Sequence, residues 1–458
     1  MFLEKLSRRK VLERMGAGFG MIPMLSLMQQ QSAQANSGGL HFAPRAKRVL
    51  FLFMNGGPSH VDTFDPKPKL AEVEGQQPEG MKTKGTGFMP SPFRFSPHGE
   101  SGVVMSELFP MLSQHADEMC VIRSMHTDTP NHEPGLILMH SGTQQPTRPC
   151  FGSWVSYGLG TENENLPAFV ALCPGMPVVG PQLWSSGFLP ASHQALSVNT
   201  SSMDLNSLVA HLDHPALSRD QQRNQLNLVQ QFNRIHAQAR DTDDRLEANI
   251  RTLELAYNMQ AEATEAFDVS REPAYVHEAY GKSNFAQSCL LARRLLERGV
   301  RFVQVYFVDK GKQPWDTHQD NDGGHRRLCA DSDRATAALL MELKQRGMLE
   351  DTLVIWGGEF GRTPYSQNDK ENKKPGRDHH ATGFSMFLAG GGVRGGTMYG
   401  ETDELGMHAV ENRVHVHDLH ATLLHLLGID HTRLTYRYSG RDYRLTDIHG
   451  EVVTGILA

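Results

Sequence analysis

The chain has 458 residues, of which 39% are hydrophobic and 21% charged, a composition that fits a large globular core and neither a disordered nor a fibrous protein. Its formal net charge of −6 offers no basic surface to follow a phosphate backbone, which disfavours a nucleic acid partner. The five cysteines include no Cys-x-x-Cys pair, so neither a zinc knuckle nor a disulfide framework is indicated.

The first 35 residues have the pattern of an export signal. Arg8 and Arg9 form a twin-arginine pair, an apolar, Gly-rich stretch covers 15–28, and Ala-Gln-Ala at 33–35 offers a cleavage site. The apolar stretch is shorter than the ~20 residues that cross a bilayer, and no other stretch approaches that length. We therefore predict a twin-arginine signal peptide over 1–35, a periplasmic or otherwise exported mature protein, and no transmembrane segment after signal removal.

The mature part alternates between strand and helix patterns. Strands are predicted at 49–54, 120–122, 302–307, 352–356 and 384–388, and helices at 108–121, 205–239, 245–267, 334–346 and 416–427. The Pro-, Gly- and Lys-rich segment 64–101 has little periodicity and is predicted to be an inserted or lid-like loop. This alternation predicts one three-layer α/β/α domain over 36–458 with a mostly parallel sheet and a helical insertion near 205–300.

Four polar clusters directly follow predicted strands. They cover 55–62; 123–126 with 131–133; 315–325; and 357–362 with 377–380. The carboxyl ends of parallel strands share one edge of a sheet, so we expect these clusters to meet at one crevice. Their carboxylates and imidazoles are ligands that Zn, Mn and similar ions prefer, which predicts at least one divalent metal ion there.

The C-terminal histidines are interpreted differently. His415, His417, His420 and His425 interleave with apolar residues around the start of the last helix, for which Asp418 is the expected N-cap. We therefore place them outside the site.

On these residues the chain resembles the alkaline phosphatase superfamily through its sulfatase-like branch, and most closely the exported family called domain of unknown function 1501. Residues 351–361 are similar to the sulfatase strand that ends in Ser-Asp-Asn-Gly or Ser-Asp-His-Gly. Residues 109–142 are similar to the helix, strand and nucleophile segment, and 418–423 to the C-terminal Asp-x-x-Pro-Thr-Leu. The resemblance to the family of unknown function covers nearly the whole mature chain.

Carried over residue by residue, the resemblance implies a changed site. Asn55 stands where the superfamily has a metal-binding Asp, and Glu359-Phe360 stands where it has Asp-Asn or Asp-His. His132 falls at the position of the usual Cys, Ser or Thr nucleophile. The first-site ligands are matched by Asp316 with His318, or else His325, and the last histidine by His379 or His380. Because Phe360 cannot bind a metal, the resemblance implies a single ion or a rearranged pair.

The function that this resemblance implies is metal-dependent hydrolysis of a phosphate or sulfate ester on a small molecule or saccharide. The expected ligands of a Zn, Mn or Ca ion are Asn55, Asp316, His318, Glu359, His379 and His380, and the expected catalytic residues are His132, Asn131 and Arg123.

Two routes of attack and a second function stay open at this point. Either the ion activates a water molecule, or His132 attacks through its imidazole. Arg123, Arg362 or Arg377 would hold the tetrahedral oxyanion. The alternative function is an exported binding or assembly protein that has lost catalysis together with the usual nucleophile. A stoichiometric metal ion in the mature protein favours the enzyme, and its absence favours the binding protein.

Overall fold

The computed structural model describes residues 40–208, 217–237, 254–255, 257–258, 264–309, 311–367 and 374–458. The export signal predicted over 1–35, and much of the helix predicted over 245–267, lie outside these residues. The α-helices are α1 (His60–Thr63), α2 (His132–Ser141), α3 (Phe151–Leu159), α4 (Leu205–Leu208), α5 (Arg219–Ala237), α6 (Ala274–Tyr280), α7 (Asn284–Glu297), α8 (Asn321–Gln345) and α9 (Val416–Leu426).

The strands include all five that the sequence predicts. They are β1 (Arg48–Phe53), β2 (Phe95–His98), β3 (Val103–Ser106), β4 (Met119–His126), β5 (Phe169–Cys173), β6 (Leu196–Asn199), β7 (Phe302–Tyr306), β8 (Thr352–Gly357), β9 (Gly361–Gln367), β10 (Gly376–His380), β11 (Phe384–Ala389), β12 (Thr397–Tyr399), β13 (Glu401–Thr402), β14 (Ala409–Glu411), β15 (Val414–His415), β16 (Tyr436–Tyr438) and β17 (Arg441–Tyr443).

Nine of these strands form the central sheet of the described chain. Their order is β12-β4-β11-β8-β1-β7-β5-β6, and β15 also pairs with β4. β1 is parallel to β7 and β8, whereas β11 is antiparallel to both β4 and β8. The predicted α/β fold with a mostly parallel sheet is therefore confirmed, and the carboxyl ends of β1, β4, β7 and β8 lie at one edge.

Both faces of the sheet are buried, as strand β1 illustrates. Leu50 and Leu52 pack into one hydrophobic core with α7 and α8, while Phe51 and Phe53 pack into a second core with α2, α3 and α9. A strand covered on both faces needs apolar side chains at successive positions, which explains the unbroken apolar run at 49–54. No helix of the described residues is long and apolar enough to cross a membrane.

Two predicted helices have different starts or caps. The helix predicted at 334–346 begins earlier, at Asn321, because the Asp320 side chain accepts a hydrogen bond from the Gly323 N–H and caps α8. At the start of α9, His415 is the N-cap and Asp418 accepts a hydrogen bond from the His415 N–H, so the prediction that Asp418 is the N-cap was wrong. This reciprocal arrangement is a capping box.

The region predicted as a helix at 108–121 is also different. It contains a 3-10 helix over Leu112–Glu118, and β4 begins directly afterwards at Met119. All five cysteines are buried and unpaired, so this structure has no disulfide.

A small accessory sheet flanks the carboxyl edge of the central sheet. β9 and β10 pair antiparallel, and Gln319 bridges to Pro375 beside β10. On the other side of β9, Phe88 bridges to Tyr365, and the Ser366 N–H donates to the Gly87 carbonyl. The inserted segment 64–101 is thereby attached to the wall beside the site.

Candidate metal centre

The loops after β1, β7 and β8 are held together by hydrogen bonds that backbone N–H groups donate. The Trp315 N–H donates to the Asn55 carbonyl at 3.0 Å. The Gly56 N–H donates to both carboxylate oxygens of Glu359, at 3.0 and 3.2 Å. Three segments that are far apart in the sequence therefore meet at one edge of the sheet, as expected for neighbouring parallel strands.

Gly56 allows the closest of these approaches. Its φ is +112°, and a Cβ atom there would lie 2.4 Å from the Asp316 backbone nitrogen. A side chain at this position would therefore displace the backbone that carries Asp316.

We expect Gly56→Ala to weaken metal binding by displacing Asp316, beyond the cost of about 1–2 kcal/mol that a positive φ imposes on alanine. Gly347→Ala is the matched control, since its φ is +66° and an added Cβ meets nothing within 4 Å. Calorimetric zinc titration of both variants measures the difference. Equal zinc affinities for the two variants would show that the Gly56–Asp316 contact does not position the carboxylate.

Three imidazole nitrogens converge on one oxygen, Oδ1 of Asp316. The Nε2 atoms of His318, His379 and His132 lie 2.9, 3.1 and 3.2 Å from this oxygen. His318 Nε2 and His379 Nε2 are themselves 3.0 Å apart. Imidazole nitrogens packed this closely around a carboxylate oxygen form a donor set for a divalent metal ion.

In the part of the chain that the structure describes, two groups of side chains have ligand atoms within 4.8 Å of one another, a spacing at which they could hold a metal ion. They are His132, Asp316 and His379, and His318, Asp378 and His379. Because His379 belongs to both groups, the five residues form one continuous centre.

Two of the imidazoles are oriented through their other nitrogen. The Nδ1–H of His132 donates to Glu359 Oε1 at 2.7 Å, and that of His318 donates to Gln367 Oε1. Both acceptors are oxygens, so Nε2 is left as the atom for a ligand. His132 Nε2 is buried and lacks hydrogen-bond geometry despite its distance to Asp316. This oxygen–imidazole arrangement is the usual outer support of metal-bound histidine.

The charges of the centre follow from these contacts. Burial alone would lower the pKa of His132, but the Asp316 and Glu359 carboxylates raise it to about 9. Burial alone would raise the pKa of Asp316, but the close imidazoles of His132, His318 and His379 and the charge of Arg362 hold it far below its usual range. Asp316 is therefore an anion at neutral pH.

Asn55 contributes a buried amide at the same edge. Its side chain is fully buried, and neither Oδ1 nor Nδ2 has a hydrogen-bond partner. Leaving a buried polar group unpaired costs about 1–3 kcal/mol, so the Asn55 amide has both its oxygen and its nitrogen available to a ligand.

The two adjacent histidines of β10 point to opposite sides of the strand, as successive side chains of a strand do. His379 faces Asp316, with its Nε2 3.1 Å from Oδ1. His380 instead has Nε2 2.7 Å from the Met407 carbonyl and stacks on His60, and burial lowers its pKa to about 3. The structure thus places His379 in the cluster and His380 outside it, which corrects the expectation of a His380 ligand.

His325 and Arg362 form hydrogen bonds within the protein. His325 Nδ1 donates to the Asn321 carbonyl and Nε2 accepts from the Ser59 N–H, so neither nitrogen faces the cluster. Arg362 is fully buried and donates to the Gly57 carbonyl and, at 2.6 Å, to Asp316. The sequence-based alternative of His325 as a ligand is therefore not supported by the geometry.

The remaining candidates for binding an oxyanion are also engaged elsewhere. Arg377 is fully buried and forms two hydrogen bonds to Asp62, at 2.7 and 3.2 Å. Arg123 pairs with Glu401 at 2.9 Å and lies 3.9 Å from Asp65. The expectation that Arg123, Arg362 or Arg377 forms a free anion fork is corrected by these contacts.

An open cavity of about 620 Å³ lies against the centre. It is lined by Lys84, Pro130, Asn131, His318, Gln367, Asp378 and His379. Asn131, expected to be catalytic, is the N-cap of α2, and its side chain makes no capping hydrogen bond. The amide is therefore available to a molecule in the cavity.

Three residues of this region were not selected from the sequence. Asp378 stood in the fourth polar cluster, directly before His379, and that adjacency was a usable signal. No sequence signal indicates Gln367 or Lys84, because their positions depend on how β9 pairs with β10 and with the segment 64–101.

The chain is similar to several known proteins. Residues 46–457 match the family described as "Protein of unknown function (DUF1501)". No curated protein matches the chain. The PsFucS1 sulfatase from Pseudoalteromonas sp. aligns with 15% identity, a TM-score of 0.37, and coverage of 88% of this chain and 76% of that one.

Two further solved structures align over most of the chain. The lipoteichoic acid synthase LtaP from Listeria monocytogenes has 9% identity and a TM-score of 0.37, over 93% of this chain and 80% of that one. The alkaline phosphatase from the Antarctic bacterium TAB5 has 11% identity and a TM-score of 0.31, over 79% of this chain and 96% of that one.

Proposed function

The chain belongs to the DUF1501 family, and we propose that it is a divalent-metal-dependent hydrolase of phosphate or sulfate esters. The observation that carries the proposal is the convergence of three Nε2 atoms on Asp316 Oδ1 beside an open cavity. A single carboxylate oxygen has two lone pairs, fewer than the groups gathered around Oδ1 here. A metal ion explains why the side chains are assembled at this point.

The donor set fits a metal of the zinc type. Ca²⁺ and Mg²⁺ take mainly oxygen ligands, whereas Zn²⁺ and similar ions accept imidazole nitrogen together with a carboxylate. His132, His318, His379 and Asp316 would hold the ion, with Asn55 as an additional oxygen donor. When bound, such an ion supplies Lewis-acid polarisation of an ester oxygen or of water.

The protein's own residues position these ligands. Glu359 fixes the ring of His132, and Gln367 fixes that of His318. The Arg362 guanidinium keeps Asp316 ionised from the buried side. Phe360, which is fully buried, packs against His132 and His379 with ring centroids 4.9 Å apart in each case and excludes water behind them.

The geometry favours attack by water over attack by His132. His132 donates through Nδ1 to Glu359 and directs Nε2 towards Asp316, and it does not line the cavity. Both nitrogens are thereby committed to the cluster. Asn131 does line the cavity, and its amide can bind a non-bridging oxygen of the ester.

The test is a panel of phosphomonoester, phosphodiester and sulfate ester substrates assayed with different divalent ions. We expect metal-dependent hydrolysis that is abolished in Asp316→Ala and lowered about 10- to 100-fold in Glu359→Gln, the usual effect of removing an outer partner of a metal ligand. Hydrolysis that survives both substitutions would place the site elsewhere. A stoichiometric ion without hydrolysis of any ester would favour the binding protein.

A further inference from the structure

The cavity beside the metal centre contains few positive charges. Asp378 lines the cavity with its side chain 29% exposed, so its carboxylate can face a bound molecule. Lys84 lies at the mouth with its side chain 72% exposed, and its Nζ is 3.6 Å from Asp378 Oδ2. Among the described residues that line the cavity, Lys84 is the one lysine or arginine.

The nearby arginines cannot reach the cavity. Arg362 and Arg377 are both fully buried. The first is bound to Asp316 and to backbone carbonyls, and the second to Asp62. A dianionic phosphate is ordinarily held by guanidinium groups that offer two parallel donors. In this structure the guanidinium groups of Arg362 and Arg377 bind other parts of the protein instead of a ligand.

The charges around the cavity nearly cancel. A divalent ion together with Arg362 and Lys84 faces three carboxylates, those of Asp316, Glu359 and Asp378. The balance leaves one positive charge for the substrate to neutralise. A second negative charge on the substrate would remain uncompensated next to Asp378.

Building on the function proposed above, we infer that this centre selects esters with a single negative charge, a sulfate monoester or a phosphodiester, over a dianionic phosphate monoester. Asp378 is the specificity-determining residue that repels the second charge. Lys84 attracts anions of either kind into the cavity.

Binding of small ester anions to the cobalt-loaded protein, followed by stopped-flow absorption before the first turnover, tests this inference without relying on turnover. Visible absorption of bound Co²⁺ reports the metal and its surroundings. Phenyl sulfate and diphenyl phosphate are titrated as monoanions, and phenyl phosphate as a dianion at a pH well above its second ionisation. We expect both monoanions to bind at least about tenfold more tightly, since a repelled like charge at short range is worth that much.

Two variants separate the roles of the charged residues. Asp378→Asn keeps an oxygen to accept the His379 N–H and removes the charge, so it is expected to tighten phenyl phosphate binding at least about tenfold relative to phenyl sulfate. Lys84→Met is expected to weaken all three anions without changing their order.

The outcomes distinguish this inference from the proposed function. If cobalt fails to bind, the metal centre itself is wrong and this inference falls with it. If cobalt binds and phenyl phosphate binds as tightly as phenyl sulfate, or if Asp378→Asn leaves their ratio unchanged, the charge selectivity alone is refuted.

Discussion

Replacing His379 with alanine is expected to lower the affinity for zinc by at least about 100-fold, since losing an outer partner alone costs 10- to 100-fold. His379 is the one residue common to both groups that can hold a metal in the described chain. Its loss therefore weakens either arrangement of ligands. Competition with a chromophoric zinc chelator measures the affinity.

His380→Ala is the matched control for this prediction. It removes the neighbouring imidazole of the same strand, whose Nε2 is engaged by the Met407 carbonyl. Zinc affinity should stay within about twofold of the unmodified protein, with circular dichroism confirming that the variant folds. An equal loss of affinity in both variants would contradict the placement of His380 outside the metal centre.

Replacing Arg377 with methionine is expected to destabilise the fold by about 3–5 kcal/mol, because the Asp62 carboxylate would be left buried without its charged partner. Both side chains are fully inaccessible to solvent. Urea or guanidinium unfolding at neutral pH measures the change. The double replacement Asp62→Asn with Arg377→Met removes both charges and should recover part of the loss. A single variant as stable as the unmodified protein would show that the pair does not support the fold.

The same pair predicts the direction of acid sensitivity. Burial alone would raise the pKa of Asp62, but the Arg377 charge and hydrogen bonds hold it well below the ordinary value. A carboxylate with a lowered folded-state pKa contributes stability above its unfolded pKa of about 4, and that contribution is lost as the pH falls towards the folded value. Unfolding free energies measured in steps below about pH 4 should therefore decline less in the Asp62→Asn variant.

Sequence patterns were sufficient for the strands and the edge of the site. Apolar runs located β1, β7, β8 and β11 because a strand covered on both faces has little choice of residue. The polar residues that follow these strands predict the position of the site, since the carboxyl ends of parallel strands lie at one edge of the sheet. Asp316 and Glu359 can be predicted as site residues in this way, and the structure brings both into contact with His132.

The choice between neighbouring side chains could not be predicted in the same way. His379 and His380 look equivalent in the sequence, and the orientation of β10 decides which of the two faces Asp316. The sequence suggests that Arg377 binds a substrate oxyanion, whereas in the structure Arg377 donates a hydrogen bond to Asp62. The position of Gln367 beside His318 depends on the pairing of β9 with β10. Such features depend on strand register and burial, which local residue patterns do not specify.

Anomalous X-ray diffraction from crystals of the protein grown with zinc tests the central claim most directly. We predict one strong zinc peak bonded to Nε2 of His318 and His379 and to Asp316, with His132 completing the set. A zinc-containing crystal without a peak among these side chains, or with its bound zinc at the C-terminal histidines instead, would contradict the assignment of the metal centre.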